Sequence, residues 1–340
     1  MLTRRLGAGV IGLLVSLAAI AFLASVIDLR ATVEVLGGTH LGWLAATLLM
    51  VLAQVLLRSQ RWRLLLPRRP DGERPALRRV TPVLLVGQLA NLVLPVKLGE
   101  PVRAYLMARR EQLSLVRVFG SVLLERVIDM ASLAPLAVLA ALVVGAPGWM
   151  VSGAGMLAVA GLVLVLLLVA SAIPRAIRLV SRLVDGRAER PRGVARTLMA
   201  LGEGASGSGR PALVLAIALS TVTWFFVAGT FWLLGFALDL GIDPAGAMLI
   251  AAIATLGTAI PSAPASIGTF ELATVFAAGV LGVSGEHALA LALLAHAVTT
   301  LPFAMAGMGA VAWMSISLDQ VATEATAAWP DPAVPRGRST

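Results

Sequence analysis

The stretch "NLVLPVKLGEPVRAYLMARR", Asn91 to Arg110, cannot be read as a plain membrane-spanning helix. It sits among strongly apolar segments, yet it holds Pro95, Lys97, Glu100, Pro101 and Arg103. Each proline removes a backbone donor and crowds the preceding turn, so a continuous helix breaks here. A charge at the centre of a bilayer costs roughly 2.5–3.5 kcal/mol on the insertion scale, so three of them need partners or a use. The halves 83–94 and 99–108 are each too short to cross a bilayer at about 1.5 Å per residue.

The remaining sequence supplies the bilayer. Of 340 residues 59% are hydrophobic and only 13% charged, with a mean hydropathy of +0.91. One soluble core cannot hide that much apolar surface, so the solvent is lipid and the protein is polytopic. The 33 glycines suit helices that pack closely without a hydrophobic driving force between them. The net charge of +9 comes from arginines in loops flanking apolar runs. That pattern marks cytoplasm and anionic headgroups and gives no reason to expect a nucleic-acid partner. Cysteine is absent, which excludes disulfides, iron–sulfur clusters and thiolate metal sites. With three scattered histidines as well, no metal and no cofactor is expected.

Read along the chain, residues 7–27 and 40–57 are spans, and eight arginines from Arg58 to Arg79 follow, which places that loop and the amino terminus in the cytoplasm. Residues 116–144 and 150–170 form a helical pair around the "GAPG" turn at Gly145, and a second arginine-rich loop covers 173–210. Residues 212–238 and 288–315 are two further spans. If the stretch from Thr81 to Arg110 crossed the membrane once, the second basic loop would lie outside, against the positive-inside rule. The stretch is therefore expected to enter and return on the cytoplasmic side. A second broken segment, with Pro261 and Pro264 between short apolar halves and Gly268 beyond them, has the same grammar. The expected fold is all-α, with about six spanning helices and two re-entrant broken-helix hairpins. The order of two spans, a hairpin and one span is written twice, over 1–144 and 148–315. Each copy crosses an odd number of times, so the copies form an inverted repeat, an arrangement used by transporters. The membrane domain covers 1–318, and 319–340 is expected to be a disordered cytoplasmic tail.

Candidate functional residues follow from charge inside apolar sequence. Lys97 is the single lysine among 27 basic residues and sits at the hairpin tip between Pro95 and Gly99. Glu100 and Arg103 are three apart on the returning half-helix, within pairing reach. Glu125 and Asp129 lie about 12 and 18 Å into the third span, counted from Arg117 at helical rise. Ser121, Glu125, Asp129 and Ser132 share one helix face, which should point into the bundle. Arg126 is a natural partner for a neighbouring carboxylate, and an Arg103–Asp129 bridge is a second pairing to expect. Glu271 on the second hairpin has no basic residue near it in sequence. His296, inside the last span, is expected to bond across helices. Two uses of this set are open: a substrate site for transport, or a structural ion network that closes the hairpins. "GEGASG" at Gly202 follows a basic loop and no strand, so it reads as linker. "PRAIRLVSRLV", Pro174 to Val184, has the spacing of a helix lying on anionic lipid.

These pieces together resemble a known family. "RWRLLL" at Arg61, "LPVKLGEPVRAYLM" from Leu94, "ERVID" at Glu125 and "IPSAPASIGTFE" ending at Glu271 are similar to the lysylphosphatidylglycerol synthase transmembrane region, also called the flippase-like domain. The resemblance runs through nearly the whole chain in order. The family's first hairpin typically reads L-P-G-R-x-G-E-x-x-R. Leu94, Pro95, Gly99, Glu100 and Arg103 match it, with Val96 in place of glycine and Lys97 in place of arginine. On the second hairpin, Ala265 and Ser266 replace a Gly-Gly pair, and Phe270 replaces an arginine common before the glutamate.

The resemblance implies movement of a lipid with a charged headgroup between leaflets. The leading expectation is an inner-membrane lipid translocator in which Lys97, Arg103 and Arg126 meet a phosphate, while Glu100, Glu125, Asp129 and Glu271 balance them or bind a cationic headgroup. A soluble transferase domain is not visible in the sequence, so the chain is expected not to be an enzyme. Two alternatives stand. One is the membrane subunit of an envelope glycolipid or aminoacyl-phospholipid synthesis system with a separate transferase partner, and the other is a secondary transporter of a small anion. The sequence does not fix the oligomeric state.

Overall fold

The computed structural model describes residues 2–94, 98–153, 155, 209–260 and 262–327. Every element among them is helical, with no strand. The expected span at 150–170 lies outside these residues beyond its first turns, as do the 174–184 and Gly202 stretches, Pro95, Lys97, Pro261 and the tail after 327.

The chain begins with α1, Leu2–Val26, and α2, Leu29–Gly37. Asp28 separates them by capping α2. Its carboxylate accepts from the backbone N–H of Arg30 at 2.8 Å and of Ala31 at 3.2 Å. The two axes meet at 86°. Next comes α3, Leu41–Leu65, which runs well past the expected end at Leu57. Arg58, Arg61 and Arg63 are therefore helix residues, a correction to their reading as loop arginines. Reading every arginine as a loop charge cannot foresee one whose charge is paired inside the bundle.

The first broken segment is α4, Leu77–Val93, followed by α5, Gly99–Glu111. Gly99 and Gly87 explain why the two halves fold back on each other. A side chain at Gly99 would overlap the Gly87 carbonyl oxygen, and a Cβ on Gly87 would lie 2.9 Å from the Arg103 Cβ. Then follow α6, Leu115–Val143, and α7, Arg210–Ala237. The second broken segment is α8, Pro244–Ala259, a 3-10 turn at Pro264–Ser266, and α9, Thr269–Val280. Here the tight crossing is at Gly257, whose added Cβ would collide with the Ala273 Cβ and lie 2.8 Å from the Thr269 carbonyl oxygen. The chain closes with α10, Gly285–Met314, and α11, Leu318–Ala327.

Among the described residues α3, α6, α7 and α10 are long and apolar enough to cross a membrane, and the bent α1–α2 pair makes five if counted as one span. Surface and interior are inverted relative to a soluble protein. Leu49, Leu56, Phe225, Leu301 and Trp313 face outward, while Arg61, Arg103, Glu125 and Asp129 are buried. The tail is ordered further than expected: α11 covers 318–327. Glu324 on it accepts hydrogen bonds from the Tyr105 hydroxyl at 2.9 Å and from Arg109 Nη1 at 2.7 Å, so α5 holds it in place.

Candidate functional site

The site is assembled where α3, α5, α6 and α7 meet. α6 carries Ser121, Glu125, Asp129 and Ser132 on one face at helical spacing, and all four are buried. Arg61 reaches them from α3 and is only 1% exposed. Its Nη2 donates to Glu125 Oε1 at 2.6 Å and to Asp129 Oδ2 at 3.1 Å. Its Nη1 donates to Asp129 Oδ1 and, at 3.0 Å, to Ser220 Oγ on α7. The Ser220 hydroxyl in turn donates to Asp129 Oδ1 at 2.7 Å, and Trp224 Nε1 donates to the Asp129 carbonyl oxygen at 3.0 Å.

Arg103 closes the network from α5. Its Nη2 sits 2.8 Å from Glu125 Oε2, a charge contact off the line of a hydrogen bond. Its guanidinium lies over the Trp62 ring, 4.9 Å from the centroid. Two arginines and two carboxylates thus pair in a buried core, where an unpaired charge would be costly. The pairing differs from the sequence expectation. Arg103 meets Glu125 and neither Asp129 nor Glu100, because Arg61 already fills both faces of Asp129. Arg126 is half exposed, with Nη2 4.0 Å from Glu125 Oε1, so it flanks the network. Glu100 faces Asn91 instead, whose Nδ2 lies 3.5 Å from Glu100 Oε1. The Asn91 side-chain oxygen accepts from the Gly99 N–H at 2.8 Å and so caps the start of α5.

Beside the network is a cavity of about 200 Å³ that both broken segments help to line. Its lining includes Gln88 and Asn91 of α4, Thr255 of α8 and Phe270 of α9, together with Arg58 of α3 and Thr299 of α10. On the second segment, Glu271 Oε2 accepts from the Gly268 N–H at 2.6 Å, and Oε1 pairs with His296 Nδ1 across to α10. The partner that sequence proximity did not supply comes from the neighbouring helix. Among the described residues no group of histidine and carboxylate side chains has the arrangement of a metal site. Arg58, Arg61, Gln54, Gln88 and Ser220 were not among the expected site residues. The available signal was three arginines within six residues at the end of an apolar helix, "RSQRWR".

A bundle with an apolar exterior, a paired ionic core and a cavity that holds an arginine is a multi-pass membrane protein that keeps charge within its spanning helices. More narrowly, the chain belongs to the family described as the lysylphosphatidylglycerol synthase TM region, whose model matches residues 9–307. It is also similar to a Haloferax volcanii protein named Glycosyltransferase AglD, at 28% identity over 351 residues. That match covers 93% of this chain and 56% of the relative, so the chain spans little more than half of the relative's length. The likeness corrects one expectation. A relative bearing a glycosyltransferase name makes the family enzyme-related, so the reading of this chain as not an enzyme does not stand.

Proposed function

We propose that the chain translocates a lipid with a charged or phosphate headgroup between leaflets of the inner membrane, with both termini cytoplasmic. The observation that carries this reading is the cavity bounded by both broken segments, where Arg58, Gln88 and Asn91 lie among apolar side chains, with a paired ionic core beside it. Such a cavity lets a headgroup leave water without meeting hydrocarbon, while the acyl chains stay in lipid.

The finer architecture belongs to the same proposal: six spans and two re-entrant hairpins in an inverted repeat. Two features support it. Gly87 meets residues 99 and 103, and Gly257 meets residues 269 and 273, so the crossing recurs at separations of 12 and 16 in both segments (99 − 87 and 269 − 257; 103 − 87 and 273 − 257). In addition, α10 packs on α4 while α6 packs on α8, so the closing span of each copy braces the other copy's hairpin.

The test is leaflet exchange of acyl-labelled fluorescent phosphatidylglycerol in proteoliposomes, read by dithionite quenching. Wild-type protein should accelerate exchange, and Lys97→Ala and Glu100→Gln should lose it while remaining folded. Equal rates in protein-free and protein-containing vesicles would reject translocation of this lipid class. A second reading is favoured by the named relative: the chain is the membrane portion of a glycolipid or aminoacyl-phospholipid synthesis system. Sugar or aminoacyl transfer to lipid that depends on this chain, with no exchange activity, would select it.

A further inference from the structure

We infer that Glu271 and His296 form a proton-binding pair, and that the chain carries one proton together with each anionic lipid it moves. The coupling rests on the translocation reading, whereas the proton site stands on its own chemistry.

The buried acids among the described residues differ in their counter-ions. Glu125 and Asp129 meet Arg61 and Arg103, and Glu111 meets Arg69 and Arg79. A guanidinium keeps its proton in a protein, so those pairs stay charged. Glu271 has no arginine or lysine within ion-pair distance among the described residues, and its partner is the imidazole of His296 on α10. Histidine gains and loses its proton within the physiological range. A carboxylate against a neutral imidazole carries one negative charge, and one added proton makes the pair neutral. The positive end of α9, where Glu271 caps the Gly268 N–H, offers only about half a charge to the anionic state.

The neighbouring helices leave the proton to this pair. α8 and the 3-10 turn carry no titratable residue, and α1 carries none after Arg5. Glu286 and His287 open α10, more than two turns before His296. α2 carries Arg30 and Glu34, α4 carries Arg78 and Arg79, and α7 carries Arg210. On α3, Arg58 approaches α10 at Phe303, two turns beyond His296, and interacts with Asp129 and Glu125 of the ionic core. None of these groups makes an ion pair with Glu271 or His296.

The pair is not sealed. The Glu271 and His296 side chains are 9% and 13% exposed, and His296 Nε2 makes no hydrogen bond among the described residues, so a proton can enter and leave there. Phe270, whose ring is 4.9 Å from the imidazole, lines the cavity, as does Thr299 one turn along α10. An anion in the cavity therefore sits beside a pair that is either neutral or negative, and like charges repel strongly across an interior of low dielectric. The anion favours the protonated pair, and the protonated pair favours the anion to the same degree. Lipid and proton load together, and for a monoanionic lipid the two charges moved cancel.

The proton site is tested on the full chain in nanodiscs, with His40→Gln and His287→Gln leaving His296 as the single histidine. Nitrogen-15 NMR between about pH 5 and 9 should show the ring passing from the doubly protonated form to a neutral form with its proton on Nδ1, facing Glu271. A ring that keeps one state throughout overturns the proton site and the coupling with it. Coupling is tested in proteoliposomes containing acyl-labelled fluorescent phosphatidylglycerol, with dithionite reading the leaflet distribution. With the membrane potential clamped at zero by valinomycin and equal potassium, a pH gradient should drive the labelled lipid toward the alkaline side. The expected leaflet imbalance is about twofold or more beyond that of protein-free vesicles. His296→Gln and Glu271→Gln should each lose it. In Glu271→Gln the amide oxygen can still cap the Gly268 N–H, so this variant serves if His296→Gln does not fold. Imbalance retained in a folded variant, or driven by a membrane potential without a pH gradient, overturns the coupling. Exchange that leaves the leaflets equal under the gradient does the same. Absence of exchange in every condition removes translocation and coupling, and the NMR titration alone then decides the proton site.

Discussion

Arg61 on α3 grips Asp129 on α6 through both terminal nitrogens, and it does so where each side chain is almost wholly buried. Removing one member of a buried pair strands the other charge, at about 3–5 kcal/mol. Arg61→Met should therefore lower the melting temperature in detergent sharply or abolish accumulation, because it strands Asp129 and leaves Glu125 to Arg103 and the flanking Arg126. Arg61→Met combined with Asp129→Asn keeps Glu125 paired with Arg103 and should recover most of the loss. A double variant no more stable than Arg61→Met would show that the pair is not energetically coupled.

The glycine crossings predict a graded series. Gly99→Ala and Gly257→Ala each drive a methyl into the facing half-helix and should destabilise by about 1–3 kcal/mol or more. Gly279→Ala, on α9 with nothing within 4 Å of the added methyl, should be neutral or stabilising by up to about 1 kcal/mol. Thermal melts of the three variants in one detergent decide it. Equal effects at all three positions would mean that the close crossings do not constrain the hairpins.

The second hairpin stores strain that can be relieved. Ala265 and Ser266 have φ of +60° and +61°, the left-handed region where a side chain costs about 1–2 kcal/mol. These are the positions where the family's pattern carries glycines. Ala265→Gly and Ser266→Gly should each stabilise by about 0.5–1 kcal/mol, once roughly 0.4–1 kcal/mol is lost to the more flexible unfolded chain. Calorimetry or a fluorescence melt showing lower stability in both would contradict the turn geometry.

How much of this was legible beforehand depends on the kind of signal. The break near Asn91 and the inward face of α6 were readable because proline chemistry and helical periodicity are local. The partners of Asp129 and Glu271 were not. Arg61 and His296 lie 68 and 25 residues away, and nothing local distinguishes an arginine that enters the bundle from one in a cytoplasmic loop. Treating "RSQRWR" as loop ended α3 at Leu57 and hid Arg58 and Arg61. The order in 318–327 was missed for the same reason. Its polar composition suggests disorder, whereas Glu324 is fixed by Tyr105 and Arg109, both more than 200 residues upstream.

That docking predicts a pH dependence. Hydrogen bonds from the Gln320 amide and then the Tyr105 hydroxyl, with Arg109 nearby, hold the Glu324 carboxyl below the usual glutamate range. A depressed carboxylate stabilises the folded arrangement above the unfolded pKa, and that contribution disappears as pH falls through the folded value. Hydrogen exchange in 318–327 should therefore be slow, relative to intrinsic rates, at neutral pH and accelerate at acid pH. In Glu324→Gln exchange should already be faster at neutral pH and show little further change. A wild-type segment with the same protection throughout would mean that α11 is held by its apolar side alone.

Glu271 carries two tasks that separate by substitution. One oxygen caps α9 through the Gly268 N–H, and the other pairs with His296 on α10. Losing an N-terminal cap costs about 0.5–2 kcal/mol, and a partly buried imidazole left without its partner adds to that. Glu271→Ala removes both contacts and should destabilise more than His296→Ala, which leaves the capped carboxylate in place. Because Phe270 lies 4.9 Å from the His296 ring and also lines the cavity, His296→Ala should in addition loosen that wall. The expected pattern is a small loss of melting temperature in His296→Ala with a several-fold loss of leaflet exchange, against a large loss of both in Glu271→Ala. Equal melting temperatures for the two variants would show that the cap contributes little and that the carboxylate is there for the histidine.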